Sequence, residues 1–195
     1  MSEFYTYFQV GLHHVLDYKA YDHILFLIAL IASLSFKDWR KVLILVTIFT
    51  IGHTLSLFLS VFDVVAINAA FVEFLIPLTI LFTAIYNIIF IKKSIKNNQI
   101  TIIDLVTLFF GIIHGLGFSN YIKSILIGTK SEKILPLSEF ALGIEAAQII
   151  VVFTVLLLGY IAQTVLKTNK RDWILVTSSI IIGVVLPIII GNKIL

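Results

Sequence analysis

Cysteine is absent from the 195 residues, which removes disulfides, thiolate metal sites and cysteine nucleophiles. Charge is scarce as well. Asp, Glu, Lys and Arg make up 13% of the chain beside 59% hydrophobic residues, whereas a soluble domain carries about 25% charged residues. Too few polar side chains remain to cover a globule in water, and a mean hydropathy of +1.08 makes lipid the natural solvent. Ser2-Glu3 opens the chain without a basic stretch, and no small-residue cleavage site follows, so no cleavable signal peptide is expected. Close repeats, low-complexity linkers and a His-rich tail are also missing. The pI of 9.1 does not imply a nucleic-acid partner. The basic residues sit in short loops between apolar runs, the pattern of a membrane protein's cytoplasmic face.

What the chain does have is long apolar runs. A bilayer core of about 30 Å takes roughly 20 helical residues per crossing. Stretches of suitable length lie at 18–36, 41–61, 69–91, 102–119, 137–166 and 172–190. Before them, Phe4, Phe8, Leu12 and Val15-Leu16 recur at helical spacing among polar residues, which predicts a short helix at 3–16 lying at the membrane interface. The expected fold is all-α: a transmembrane helix bundle of about six spans in one membrane domain over 1–195. Whether it forms a homo-oligomer stays open.

Lys37, Arg40 and Lys41 separate the first two spans, Lys92, Lys93 and Lys96 the third and fourth, and Lys167, Lys170 and Arg171 the last two. The alternate connections are poorer in base: 62–68 carries Asp63, and 120–136 sets Glu132 against Lys123, Lys130 and Lys133. The positive-inside rule then predicts a bacterial-type cytoplasmic membrane protein with both termini outside.

Ionisable groups within the apolar runs are expensive and mark sites or pathways. They are Asp22, His23, His53, Glu73, Asp104, His114 and Glu145, with His13 and His14 just ahead of the first span. At a rise of about 1.5 Å per residue, His53 and His114 each lie roughly 18 Å above the cytoplasmic end of their spans, and Glu145 about 12 Å below the outer end of its own. All five histidines and most of the carboxylates thus share the outer half. Neutral imidazole and carboxylate are ligands for Zn²⁺, Ni²⁺ or Fe²⁺, and residues from several helices can converge in a bundle core. Taken singly, each group has a plainer reading. His53 is satisfied by a backbone carbonyl or a neighbouring helix, His13 is a solvated interfacial residue, Asp104 complements a helix N-terminus and Glu73 rests at the water boundary. Their common depth favours one metal or proton site built on His23, His53, His114 and Glu145. Gly111 and Gly115 bracket His114, and Gly143 and Ala147 bracket Glu145. This small-residue spacing lets helices touch and predicts that His114 and Glu145 come within range of each other.

The segments GLHHVLDYKAYDHILFLIAL (11–30), FTIGHTLSL (49–57), VEFLIPLTI (72–80), FGIIHGLGFS (110–119) and FALGIEAAQ (140–148) together resemble the HupE/UreJ family, small polytopic membrane proteins regarded as nickel or cobalt permeases. The resemblance runs in order from about Phe8 to Gln148 and departs where Ala20 replaces the expected Gly before Tyr-Asp-His. It implies a metal set of His14, Asp22, His23, His53, His114 and Glu145, with Glu73 and Gln148 behind them. The implied function is a permease for a divalent transition metal such as nickel, and the imidazole and carboxylate donors make zinc the other expected ion. Two other readings stay open. One is an intramembrane zinc-dependent hydrolase acting on a lipid or lipoprotein at the outer leaflet, with Asp22, Glu73 or Glu145 as general base. The other is an accessory subunit without turnover. For a permease, Thr47, Thr50, Thr107 and Gln148 are the candidates for an inward polar path.

Overall fold

The structure is a computed structural model, and it describes residues 3–91 and 102–192. Seven α-helices occur among them and no strand: α1 (Glu3–Leu16), α2 (Asp22–Ile31), α3 (Trp39–Val61), α4 (Ala69–Ile89), α5 (Ile102–Ile125), α6 (Ile134–Thr164) and α7 (Lys170–Ile190). The long helices α3 to α7 are apolar enough to cross a membrane. Their outward faces are apolar too: Ile44, Ile51, Phe82, Phe109, Phe153, Leu158 and Ile180 are all exposed. In lipid that is the expected arrangement, because the hydrocarbon solvates them and a helix closes most of its backbone polar groups internally.

The first apolar run does not form one continuous span. Its helix, α2, has ten residues and measures about 15 Å, half a bilayer. Local side-chain chemistry sets both limits. The Asp17 carboxylate accepts the backbone N–H of Lys19 at 2.8 Å, and the Asp17 carbonyl accepts that of Ala20 at 3.2 Å, a turn that diverts the chain between α1 and α2. At the other end Asp38 accepts from the backbone N–H and hydroxyl of Ser35, at 3.0 and 2.9 Å. This capping box turns the chain into α3. The end of α2 lies inside the bundle, where its carbonyls need donors. Asn87 of α4 donates to the Ala29 carbonyl at 2.6 Å, and the Leu34 N–H to that of Ile31 at 2.8 Å.

Two glycine contacts organise the rest. Gly52 of α3 rests on the backbone of Leu108 and Ile112, while Gly111 of α5 rests on that of Phe49 and His53. Gly11 of α1 and Gly143 of α6 repeat the arrangement with the same offsets, against Phe140 and Ile144 and against Phe8 and Leu12. Any Cβ at these four positions would collide with a carbonyl oxygen, so glycine is what allows the backbones to meet. These small-residue pairs therefore join α5 to α3 and α6 to α1, and not α5 to α6 as the sequence spacing suggested. The helix at 3–16 is accordingly packed against α6, with Gly11 and Val15 buried.

Ion pairs mark both ends of the α3–α5 unit. Lys41 and Asp104, both buried, meet at 2.6 and 2.8 Å. Lys41 is thus no loop charge, and Asp104 serves a cation as well as its helix N-terminus. At the far end Lys123 meets Asp63 at 2.8 Å. That hydrogen bond and the ammonium charge hold the Asp63 carboxyl below its usual range. The two pairs show that α3 and α5 run in the same direction. Lys92, Lys93 and Lys96 lie outside the described residues.

Candidate metal centre

Four imidazoles from four helices converge. His14 lies in the last turn of α1, His23 in the first turn of α2, His53 in α3 and His114 in α5. Ring centroids are 4.6 Å apart for His14–His23, 5.7 Å for His23–His53, 5.8 Å for His14–His53 and 5.2 Å for His23–His114. His14, His23 and His53 each offer a ring nitrogen, all within 4.8 Å of one another. Nitrogens bound to one tetrahedral ion at about 2.0–2.1 Å stand roughly 3.4 Å apart, so small ring movements would close the set around a cation.

The break between α1 and α2 makes the cluster possible. The turn built on Asp17 brings the end of one short helix and the start of the next to the same point, a device by which discontinuous helices expose ligands within a bundle. The Gly52–Gly111 contact does the rest, because it fixes the spacing of α3 and α5 beside His53 and three residues before His114.

The histidines' second nitrogens differ in their partners. His114 Nδ1 lies 2.8 Å from the Phe110 carbonyl. It therefore carries the proton and leaves Nε2 as a lone pair. His23 Nδ1 lies 3.2 Å from an Asp22 carboxylate oxygen, which also accepts the His23 backbone N–H at 2.9 Å. This is the orienting carboxylate commonly placed behind a metal-binding imidazole. Buried Nε2 atoms of His14, His23, His53 and His114 have no hydrogen-bond partner, and His53 lacks one at Nδ1 as well. The backbone-carbonyl partner considered for His53 is therefore not present. An unsatisfied buried polar atom costs about 1–3 kcal/mol, and a group of them on facing rings is a donor set lacking its acceptor. The walls are aromatic: Phe118 lies 3.6 Å from the His14 ring, while Phe26 and Phe49 each lie 5.2 Å from that of His114. The sequence signal for this cage is spacing, with Phe49 and Phe118 one helical turn from His53 and His114.

The other candidates fall outside the cluster. Glu145 is half-buried and accepts the hydroxyl of Thr47 on α3 at 2.7 Å. Gln148 is fully buried and accepts the Thr50 hydroxyl at 3.1 Å, with its amide nitrogen unpartnered. His53 and the buried Thr50 lie one turn apart on α3, and the exposed Thr47 follows a turn further on, so polar groups continue from the cluster for about 9 Å and come to the surface of the bundle at Thr47 and Glu145. Thr107 is buried with an unpartnered hydroxyl two turns before His114. Glu73 is exposed and lines a side cleft shared with Asp22, Tyr21 and Pro77. His13 points outward and bonds the Gln9 carbonyl at 2.8 Å.

Fold and site define a polytopic helical membrane protein with a buried histidine cluster at a helix break. The chain belongs to the HupE/UreJ family: the family model described as HupE / UreJ protein matches residues 1–191. Comparison with curated proteins and with solved structures gives no match.

Proposed function

We propose that the protein is a permease for a divalent transition metal, with Ni²⁺ or Zn²⁺ best suited to its donors, and that His14, His23, His53 and His114 form the first binding station. One observation carries the reading: three buried imidazoles and the half-buried one of His14 meet in an aromatic pocket, each with a buried Nε2 that has no hydrogen-bond partner. Neutral nitrogen donors replace the water that a cation sheds on leaving solvent, and Asp22 supplies a negative charge beside them. The membership in the HupE/UreJ family supports transport over simple retention. So does the ladder of Thr50 with Gln148 and Thr47 with Glu145, which offers oxygen ligands below the nitrogen site. Hydrolysis is the weaker reading. Asp22 is engaged with His23, Glu145 with Thr47, and Glu73 faces the side cleft, so none of the three carboxylates considered as general base stands free beside the histidines.

X-ray absorption of the purified, metal-loaded protein tests the site. The expected spectrum shows three or four imidazole nitrogens at about 2.0–2.1 Å from the metal, lost in His53→Ala. A shell made only of oxygen donors would overturn the assignment.

A further inference from the structure

A second cleft lies at the opposite end of α2 from the histidines. It encloses about 440 Å³ between Leu34–Lys37, the last turns of α6 and the first turn of α7. Its composition is layered. Ile31, Leu34, Val155 and Leu156 make an apolar wall, Tyr160 and Trp173 follow, and Lys37 and Lys170 stand at the rim. No acidic residue lines it. The neighbouring carboxylates have partners of their own: Asp38 accepts from Ser35, and Asp172, in the first turn of α7, accepts from the Asn169 amide at 3.4 Å. Lys167 and Arg171 add positive charge nearby. Helix α7 begins at this rim, and its N-cap residue Asn169 makes no side-chain cap. The N-cap side chain therefore does not occupy the first N–H groups, which point toward an anion at a helix N-terminus.

The cleft exists because α6 and α7, although consecutive, barely pack on each other. α7 packs chiefly on α4, and the ring of Trp173 lies against Gly159, the small residue that admits it. A cleft between spanning helices is open to the bilayer, so its occupant must combine an apolar tail with an anionic head.

We propose that this cleft is a binding site for an acidic phospholipid of the phosphatidylglycerol type. The phosphate lies between Lys37, Lys170 and the start of α7, and one acyl chain lies along Val155 and Leu156. Layering of chain, interfacial aromatic and base follows the depth profile of such a lipid in a leaflet. A free phosphate would have no use for the apolar wall.

Trp39 and Trp173 are the two tryptophans, so Trp39→Phe leaves Trp173 as the reporter. In proteoliposomes, phosphatidylglycerol with brominated chains should quench Trp173 at a mole fraction roughly tenfold lower than brominated phosphatidylcholine does, given two lysines at the headgroup. Lys37→Gln with Lys170→Gln should remove the preference, and Lys123→Gln with Lys130→Gln at the other end should keep it. Equal quenching by both lipids, an unchanged preference in the first double variant, or its loss in the second would overturn the proposal. Displacement of the lipid by millimolar inorganic phosphate would overturn it in favour of a free-anion site. Native mass spectrometry of the unmutated protein gives an independent reading: phosphatidylglycerol enriched over the zwitterionic lipids of the host is expected, and no enrichment counts against the site.

Discussion

At the scale of single residues, His53 bears the largest unmet demand, with both ring nitrogens buried and unpartnered. Replacing it by Ala should abolish tight binding of Ni²⁺ or Zn²⁺ while the protein remains folded in detergent, because the change removes unsatisfied polar atoms. Titration calorimetry decides the point, and unchanged affinity would exclude His53 as a ligand. Asp22→Asn is subtler. The amide keeps the size but loses the charge behind His23, so affinity should fall roughly 10–100-fold with the stoichiometry intact. The sequence made these residues visible because ionisable side chains are conspicuous in apolar runs. The Thr47 partner of Glu145 was not visible, for an equally physical reason. Depth along a helix can be counted, but the direction in which a side chain leaves the axis depends on which helices touch, and α6 turns Glu145 toward Thr47.

At the scale of elements, the two glycine contacts and the buried Lys41–Asp104 pair set how the helices stand. Gly111→Ala places a methyl group against the Phe49 carbonyl and pushes α3 from α5. The expected loss is about 1–3 kcal/mol together with weakened metal binding, measured by reversible unfolding in mixed micelles and by metal titration. A stable variant with normal affinity would show that the spacing is not critical. Asp104→Asn leaves the Lys41 ammonium buried without its counter-charge and should cost about 3–5 kcal/mol, whereas Lys41→Met with Asp104→Leu should recover most of it. The long helices were legible from hydropathy alone. The interruption of the first run was not, since it depends on Asp17, Ser35 and Asp38 drawing the backbone into turns. That local competition is invisible to an average over 20 residues. Lys41 was read as a loop charge because its partner is 63 positions away.

At the scale of the whole molecule, the basic ends of α3 and α7 and the basic 92–100 segment predict that these parts face the cytoplasm. A Cys introduced at Asn97 should react with an impermeant maleimide only after the cells are opened, and one at Lys130 should react in intact cells. The reverse pattern would invert the orientation. Within that frame, the cluster and the ladder on α3 amount to a nitrogen site with an oxygen continuation, and the claim is that a metal ion passes along it. Flux into proteoliposomes loaded with a metal-sensitive dye tests this most directly. The expected Ni²⁺ or Zn²⁺ signal saturates, is lost in His53→Ala, and is slowed in Thr50→Val, where the hydroxyl beside Gln148 is gone. Protein that binds the metal at the four histidines yet gives no flux under any imposed gradient would contradict it.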